Sequence, residues 1–235
     1  MLVIKDVCKT YGKQTVLNNT SMTVEEGIRV LLGINGCGKS TLLKIITGVA
    51  DADSGSVQLK GEELLNLPPE KRRIGYVPQH TALFPNMTAY DNILYGLRSK
   101  EAKQAAKAHV DELIEMLELG DFLNKRPGQL SGGYKSRVSL ARALAPDPNL
   151  MLLDEPLSDV DVVMKERLLP EFKKVIHTLG IPAIYVTHDP SEAQQVGDSF
   201  CSMVQGNISG HDNAAAAFDF IRQEEIKHLE ANLLK

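Results

Sequence analysis

Short apolar runs and helical stripes of apolar residues alternate along the chain. In the first third, residues 2–7, 20–24 and 28–32 are rich in the residues that favour strands, and glycine-containing turns separate them. The run at 28–32 is almost entirely apolar, which is typical of a strand buried on both faces. A helix is predicted over residues 39–47, and Gly48 is expected to end it.

The middle of the chain has the pattern of helices. Thr88, with Asp91 three residues later, is predicted to cap a helix that runs toward Leu97. Apolar residues recur at helical spacing between 110 and 117 and define one apolar face of a second helix. We expect Gly120 to end this second helix.

Strands and helices alternate again in the last third. Residues 150–153 and 183–186 are predicted to be buried parallel strands, with a long helix between them. Pro170 lies inside that helix and is expected to kink it or split it. Asp189 and Pro190 have the order of a helix cap and a first helical residue, so they predict another helix start.

The chain then has the pattern of a hairpin and a final helix. The hairpin is predicted around Gly206, and the tail over residues 213–235 is predicted to be helical. Strands at both ends of the sequence with helices between them predict an α/β fold with an inserted helical subdomain.

Composition narrows the class of protein without identifying it. The 235 residues are 43% hydrophobic and 24% charged, which is the balance of a soluble globular protein. The net charge of −4 gives no overall basic field, so nucleic acid is not an expected partner. No apolar run approaches the roughly 18–20 residues that span a bilayer. The early charges at Lys5 and Asp6 argue against a secretory signal, and the three scattered cysteines are interpreted as reduced thiols.

A glycine-rich segment between a predicted strand and a predicted helix has the composition of a phosphate-binding loop. Gly33 and Gly38 lie at the two ends of the loop, and Lys39 and Ser40 follow directly. Because glycine has no Cβ atom, the backbone amides of the loop can approach phosphate oxygens. Lys39 is expected to reach the β- and γ-phosphates and Ser40 to ligate magnesium. The alternative is an ordinary glycine-rich turn before a helix, but the position after a buried strand favours ATP binding.

Two carboxylates follow a second buried strand. Asp154 is predicted to support a magnesium ion, and Glu155 to polarise a water molecule that attacks phosphate. Acidic residues at strand ends also serve as helix caps. Together with a phosphate-binding loop, the pair favours phosphate chemistry.

A second glycine turn, Ser131-Gly132-Gly133, precedes a helix predicted to end before Pro146. Ser131 could simply be the N-cap of that helix. Alternatively, the serine and the glycine amides bind a second phosphate group at the helix N-terminus. One nucleotide does not need two such turns from one chain. The second turn therefore suggests a dimer in which each subunit completes its partner's site.

Taken together, these segments resemble the nucleotide-binding subunit of an ATP-binding cassette (ABC) transporter over residues 1–210. Residues 33–41 resemble Walker A, residues 150–155 Walker B, and residues 130–134 the signature motif. The resemblance implies a P-loop NTPase core with a mostly parallel sheet and an N-terminal antiparallel β part. It also implies a RecA-like core formed by 1–80 and 150–212, a helical subdomain at 81–149, and a short helical tail at 213–235.

Further roles are carried over from the family position by position. Tyr11 matches the aromatic residue that stacks on adenine, with Val16 beside it. Gln79 matches the glutamine that meets magnesium and senses the transmembrane partner. Asp161 matches the D-loop at the dimer interface, and His188 matches the switch histidine that contacts the γ-phosphate. Taken singly, each has a structural alternative: a core residue for Tyr11 and Val16, and a loop or turn residue for Gln79 and His188.

The resemblance therefore implies an ATPase with a complete set of site residues. The expected catalytic residues are Glu155, His188 and Lys39. The expected magnesium ligands are Ser40, Gln79 and Asp154, the last through water. The expected contacts to ATP within one chain are Tyr11, Val16, Asn35, Gly36, Cys37, Gly38, Lys39, Ser40 and Thr41, and those to the partner's ATP are Ser131, Gly132, Gly133 and Asp161.

Three positions depart from the family pattern. Tyr134 stands where the signature motif usually ends in glutamine, and we expect altered packing rather than lost binding. Cys37 occupies a small-residue position of Walker A and could make ATP binding sensitive to thiol oxidation. Pro170 lies in a helix that is normally unbroken, and the sequence offers no functional account of it.

Other segments indicate a transporter group. Residues 67–72, 83–88 and 91–93 resemble ATPases of bacterial and archaeal importers, most closely those for molybdate, tungstate and sulfate, then those for polyamines and ferric ions. The resemblance implies a homodimer or paired ABC subunit at the cytoplasmic face of the membrane. Permease subunits are expected to dock near residues 79–88, and an extracellular substrate-binding protein is an indirect partner.

Two other classes compete with this interpretation. A P-loop GTPase usually needs an Asn-Lys-x-Asp segment, and the sequence at 124–127 lacks the aspartate, while neither a GTPase nor a kinase explains the signature motif. A soluble ABC protein of DNA repair or translation would carry long coiled-coil insertions or two cassettes. This chain has neither.

Overall fold

The structure is a computed structural model that describes residues 1–97 and 99–233, apart from the side chains of Leu229 and residues 231–233. The last two residues of the predicted tail helix, 234 and 235, lie outside the described residues. The strands are β1 Leu2–Tyr11, β2 Gln14–Val24, β3 Ile28–Leu32, β4 Ser54–Leu59, β5 Glu62–Glu63, β6 Ile74–Val77, β7 Leu150–Asp154, β8 Ala183–Thr187, β9 Ser199–Val204 and β10 Asn207–His211. The α-helices are α1 Lys39–Thr47, α2 Ala89–Ile93, α3 Lys100–Ala105, α4 Lys107–Met116, α5 Gly132–Leu144, α6 Val162–Leu179, α7 Pro190–Val196 and α8 Ala214–Leu233.

These elements form two compact units. The first comprises Met1–Arg72 and Pro182–Lys235, and the second comprises Arg73–Ile181. The fold is α/β, as the order of apolar runs predicts. The subdomain boundaries that the family resemblance implies stay a prediction.

The first unit contains an antiparallel sheet with the strand order β2-β1-β4-β5. Its two longest strands extend further than their apolar cores at 2–7 and 20–24 indicate, because cross-strand pairs continue through polar residues as far as Tyr11 and Gln14. Bulges interrupt the register between these strands, so the alternation of apolar and polar positions is lost there. The antiparallel N-terminal β part is thus present and longer than expected.

The first unit also contains the strand that leads into the glycine loop. β3 pairs in parallel with β8 on one side and with β9 on the other, and β9 pairs with β10 in an antiparallel hairpin. Four of the five β3 residues are buried, in agreement with the predicted two-sided burial. The hairpin turns at Gln205 and Gly206, whose φ values of 47° and 77° suit a tight turn of the type that favours glycine.

The second unit contains the parallel pair β6–β7 and the helices α2 to α6. Thr88 caps α2 through a capping box with Asp91, as predicted, but the α-helix stops at Ile93 and a 3-10 turn continues to Gly96. The next predicted end point was wrong, because α4 ends at Met116 and not at Gly120. Glu118 leaves the helical path there, with a left-handed φ of 51°.

Pro170 lies inside α6, which runs from Val162 to Leu179 without a break. We expected a kink or a split: the split was wrong, and the kink stays a prediction. Proline has no amide hydrogen and therefore cannot donate to the carbonyl of Glu166 four residues earlier. Buried apolar side chains on both sides of it, which include Leu168 and Phe172, stabilise the two halves of the helix.

Substitution of Pro170 by alanine is expected to stabilise the protein. The change restores the missing helical hydrogen bond at an exposed position, so we expect the free energy of unfolding to rise by about 1–3 kcal/mol. Urea denaturation followed by circular dichroism measures this gain. The matched control is Pro190→Ala, because Pro190 is the first residue of α7, where proline is favourable and its removal should bring no gain. Equal effects of the two variants would contradict the prediction.

Candidate functional site

The glycine loop connects β3 to α1 and holds a buried lysine. Gly38, with a φ of 117°, precedes the first residue of α1, and Leu42 donates its amide to the Gly38 carbonyl. The Nζ atom of Lys39 donates hydrogen bonds of 2.8 Å to the carbonyls of Gly33 and Ile34. Lys39 is only 5% exposed, so its charge is held within the loop beside the N-terminal end of the helix. This is a favourable site for an anion.

Neighbouring strands fix the loop. A Cβ atom on Gly33 would lie 2.6 Å from the Cys37 Sγ and 2.8 Å from the Met203 carbonyl oxygen, and one on Gly38 would lie 2.9 Å from a backbone oxygen of β2. The Gly206 amide donates to the Cys37 carbonyl at 2.9 Å. By contrast, a Cβ on Gly36 would meet nothing within 4 Å. The loop is therefore packed against protein at its two ends and open at its tip.

An open cleft of about 420 Å³ adjoins the tip of this loop in the first unit. Its volume is in the range of small-ligand sites. Residues from β2, from the loop, from the β9–β10 turn and from α8 form its walls. They are Gln14, Thr15, Val16, Ile34, Asn35, Gly36, Cys37, Gln205, Glu225 and His228.

The adenine-stacking role predicted for Tyr11 is not tested by the geometry of the cleft. Tyr11 is the last residue of β1, is 49% exposed and pairs across the strands with Gln14, which lines the cleft. The ammonium group of Lys9 lies 5.3 Å from the centre of the Tyr11 ring. Val16 lies in the cleft wall itself. The half-exposed Tyr11 ring is thus not a core residue.

The geometry of Cys37 argues against easy oxidation. Cys37 is 6% exposed, and burial raises the pKa of its thiol, although the Lys39 ammonium lowers it in part. A higher pKa leaves less thiolate near neutral pH, and the thiolate is the reactive species. Burial raises the pKa of Cys201 to about 12. Cys8 is only partly buried.

We therefore expect Cys8 to react with iodoacetamide first, Cys37 more slowly and Cys201 most slowly. Time-resolved alkylation near neutral pH, with the modified peptides quantified by mass spectrometry, measures the three rates. Denatured protein is the control, because the differences due to burial should disappear there. Faster labelling of Cys37 than of Cys8 in the native protein would contradict this ranking.

The second unit places the two predicted carboxylates beside β6. Asp154 ends β7, and its Oδ2 accepts a 3.1 Å hydrogen bond from the Tyr76 hydroxyl. Burial, together with the Asp154 charge, raises the pKa of Tyr76 well above its ordinary value, so Tyr76 remains a donor. The Gln79 side-chain amide lies 3.5 Å from Glu155 Oε2, and Ser158 donates to the Gln79 carbonyl at 3.0 Å.

Glu155 has an unusual backbone. Its φ is 45°, in the left-handed region that non-glycine residues rarely adopt, and it is only 8% exposed. Strain of this kind is often found at functional sites. The turn is stabilised by the Ser158 amide, which donates to the Glu155 carbonyl at 3.1 Å. The chain thus turns sharply after β7 and keeps the Glu155 carboxylate beside Gln79.

The predicted signature residues form the start of α5. Ser131 is its N-cap, and the Tyr134 amide points to the Ser131 Oγ at 3.5 Å. A Cβ on Gly132 would lie 3.0 Å from the Asp159 carbonyl oxygen, and one on Gly133 would lie 3.0 Å from the Met164 side chain. A side chain at either position would therefore make a tight contact, so glycine favours close packing here. The N-cap alternative for Ser131 is correct and is compatible with anion binding, because Ser131 is an exposed residue.

The remaining predicted residues lie at the ends of strands or helices. Asp161 caps α6, with its Oδ1 accepting the Met164 amide at 3.0 Å. His188 follows β8 directly in the first unit and is exposed. The structure thus groups the loop residues with Val16 in one unit, and Gln79, Asp154 and Glu155 in the other. The individual roles of all these residues stay predictions.

The sequence did not indicate three polar residues of the cleft, namely Gln205, Glu225 and His228. Glu225 and His228 lie on α8, and His228 Nδ1 is 3.2 Å from Gln205 Nε2. Their helical spacing of three residues was the available signal, but a polar helical face usually indicates solvent exposure. Among the described residues, no helix has both the length and the apolar composition that crossing a bilayer requires.

Comparisons with known proteins agree with the geometry. A profile of the ABC transporter family matches residues 17–158. A dimeric bacterial ABC transporter cassette has a TM-score of 0.77 and 30% identity over 91% of this chain and 99% of its own. A structure described as a dimeric post-hydrolysis cassette bound to ADP and Pi has a TM-score of 0.75, 30% identity and the same coverage. The chain therefore belongs to the ABC transporter family and has the fold of its ATPase cassette.

Curated relatives are import ATP-binding proteins with different substrates in their names. One for molybdate/tungstate from Methanocaldococcus jannaschii is 43% identical over 88% of this chain and 69% of its own length. One for spermidine/putrescine from Thermotoga maritima is 42% identical, with 87% and 56% covered. One for Fe(3+) ions from Brucella melitensis is 40% identical, with 88% and 60% covered. The chain thus spans between 56% and 69% of the length of these relatives.

Proposed function

We propose that this chain is the ATP-hydrolysing subunit of an ABC importer and acts as a pair of cassettes. The observation that carries the proposal is the buried Glu155 carboxylate, held in a strained turn beside the Gln79 amide and directly after Asp154. A carboxylate that served only as a helix cap would not need this arrangement. The buried Lys39 in an open-tipped glycine loop supports the same proposal from the other unit.

The proposed chemistry divides among the chain's own residues. Glu155 accepts a proton from the attacking water, with Gln79 orienting the carboxylate. Lys39 exchanges its contacts with the Gly33 and Ile34 carbonyls for phosphate oxygens, and His188 donates a hydrogen bond to the γ-phosphate. The Ser131-Gly132-Gly133 turn of one protomer binds the triphosphate held by its partner.

Oxygen donors suited to magnesium are present in both units. The Ser40 hydroxyl is exposed at the start of α1, and the Asp154 carboxylate is held by the Tyr76 hydroxyl at the end of β7. Hydroxyl, carboxylate and the amide oxygen of Gln79 are the hard ligands that magnesium prefers. When bound, the ion would neutralise charge on the phosphate oxygens.

An exposed aromatic pair in the second unit supports a permease-docking role for residues 79–88. Phe84 and Tyr95 are 36% and 53% exposed, and their ring centres are 4.2 Å apart. The Arg142 guanidinium lies 5.8 Å from the Phe84 ring, and it donates to the Thr81 carbonyl at 2.9 Å. Exposed aromatic rings backed by a fixed cation are typical of protein-binding surfaces. We propose that membrane subunits bind here, at the cytoplasmic face of the membrane.

For the transported substrate we propose an inorganic oxyanion such as molybdate or tungstate. The support is the resemblance of the importer segments and the name of the 43% identical relative. Polyamine and ferric-ion import are the alternatives, because relatives named for them are 42% and 40% identical. A transport measurement separates these three.

The test combines two measurements. Phosphate release by the purified chain with magnesium and ATP tests the ATPase, and its absence would overturn the proposal. Affinity purification of the tagged chain from its native membranes, with identification of multi-spanning partners, tests the importer role. The recovered complex, reconstituted in vesicles with its substrate-binding protein, is then assayed for ATP-driven uptake of molybdate, spermidine or Fe³⁺. Stimulation of phosphate release by nucleic acid instead would favour a repair or translation role.

A further inference from the structure

Two aromatic rings and two cations form a cluster at the start of α5. The rings of Phe122 and Tyr134 are stacked, with centroids 3.7 Å apart and planes inclined by 26°. The Lys125 ammonium lies 4.4 Å from the centre of the Phe122 ring, and the Arg137 guanidinium lies 5.2 Å from that of Tyr134. We call these four residues the aromatic stack. Stacking and cation–π attraction both favour one fixed orientation of the Tyr134 ring.

Arg137 anchors the stack to the interior of the second unit. Its side chain is buried, with the guanidinium 3.3 Å from the Leu117 carbonyl, 3.2 Å from the Glu118 carboxylate and 2.8 Å from the Glu171 carboxylate. A buried cation with several fixed partners is costly to displace. The ring of Tyr134 therefore rests on a rigid support.

The Phe122 end of the aromatic stack lies on a loop that is hydrogen-bonded next to the proposed permease-docking segment, residues 79–88. The loop that carries Phe122 and Lys125 accepts two backbone hydrogen bonds from the start of α2. The Ala89 amide donates to the Lys125 carbonyl at 2.8 Å, and the Tyr90 amide donates to the Leu123 carbonyl at 3.0 Å. α2 begins directly after residue 88, so these two hydrogen bonds connect the loop of Phe122 to the end of the docking segment.

Tyr134 also belongs to the first turn of α5, where its amide faces the Ser131 hydroxyl. The Tyr134 ring and the Ser131-Gly132-Gly133 segment therefore belong to the same turn of α5. We infer that Tyr134 is a positioning residue, which through its stack with Phe122 sets the phosphate-binding turn offered to the partner subunit and links that turn to the docking segment. This inference rests on the proposed function. It gives Tyr134 a specific role. Glutamine, the usual residue at this position of the signature motif, cannot perform that role because it has no ring to stack on Phe122.

The experiment compares Tyr134→Phe, which keeps the stack, with Tyr134→Leu, which keeps apolar volume without a ring. We measure kcat and KM for ATP in the full chain, and ATP-driven dimerisation by analytical ultracentrifugation in a Glu155→Gln background. Tyr134→Leu is expected to lower kcat by about 3- to 10-fold and to weaken dimerisation by a similar factor. Tyr134→Phe is expected to match the parent. ATP binding to dilute, monomeric protein is expected to be unchanged in both.

Several outcomes would overturn the inference. Parent-like kcat and dimerisation in Tyr134→Leu would do so, and so would equal losses in the leucine and phenylalanine variants. If Tyr134→Leu does not fold, Phe122→Leu removes the same stack from the loop side and is expected to reproduce its effects. A parent chain that neither hydrolyses ATP nor dimerises would overturn the proposed function together with this inference, whereas an active parent with unaffected variants would overturn the inference alone.

Discussion

Substitution of Glu155 by glutamine is expected to lower the rate of ATP hydrolysis by about 10²- to 10⁴-fold, the usual contribution of a general base. Glutamine keeps the size of the side chain but cannot accept the proton of the attacking water. The glutamine side chain can occupy the same position beside the Gln79 amide, so the protein should remain folded. ATP binding should persist as well, because the glycine loop and Lys39 lie in the other unit.

A hydrolysis block with intact binding should trap the ATP-bound pair. Phosphate release measures the loss of rate, and size-exclusion chromatography with and without ATP measures the dimer. The matched control is Glu166→Gln on the exposed side of α6, which should keep the parent rate. Turnover by Glu155→Gln at the parent rate would remove Glu155 from the mechanism.

Substitution of Lys39 by alanine is expected to weaken ATP binding by about 10- to 100-fold, since a charge-assisted hydrogen bond contributes about 1.5–3 kcal/mol. The affinity falls because the cation that faces the phosphates disappears. The Gly33 and Ile34 carbonyls, which each accept a 2.8 Å hydrogen bond from the Lys39 Nζ, lose their donor as well, and this destabilises the loop. Some loss of stability of the free loop should therefore accompany the loss of affinity.

Isothermal titration calorimetry with ATP measures the change in affinity, and thermal unfolding with and without ATP measures the linked stabilisation. Lys44→Ala is the matched control, because Lys44 is an exposed lysine on the same helix. Its affinity for ATP should match that of the parent. Equal affinity of Lys39→Ala and the parent would show that the glycine loop is structural.

Local sequence signals predicted the elements around the site with good accuracy. The strand before the glycine loop, the helix from Lys39 to Thr47, the Asp189 cap of α7 and the turn at Gly206 all lie where capping chemistry and apolar runs placed them. These features depend on residues close together in the sequence. Such interactions can be derived from the sequence alone, because the partners of each residue are its near neighbours along the chain.

Features that depend on distant partners could not be derived. The polar ends of β1 and β2 are strands only because each pairs with the other. Glu118 takes the left-handed conformation expected of a glycine, and nothing in the local pattern marks it. The hydrogen bond from Tyr76 to Asp154 joins residues that are far apart in sequence. For the same reason, the stack of Phe122 on Tyr134 was not predicted, although Tyr134 was identified as unusual.

The position of β3 between β8 and β9 has a consequence for biosynthesis. A ribosome completes the glycine loop early, yet both neighbours of the strand that supports it, and the Gly206 amide that binds Cys37, belong to the last quarter of the chain. Domains generally fold as units, after their non-local pairs become available. A nascent cassette is therefore unable to form its nucleotide cleft until β8, β9 and the turn at Gly206 have been synthesised, and a chain that stops before them cannot sequester ATP.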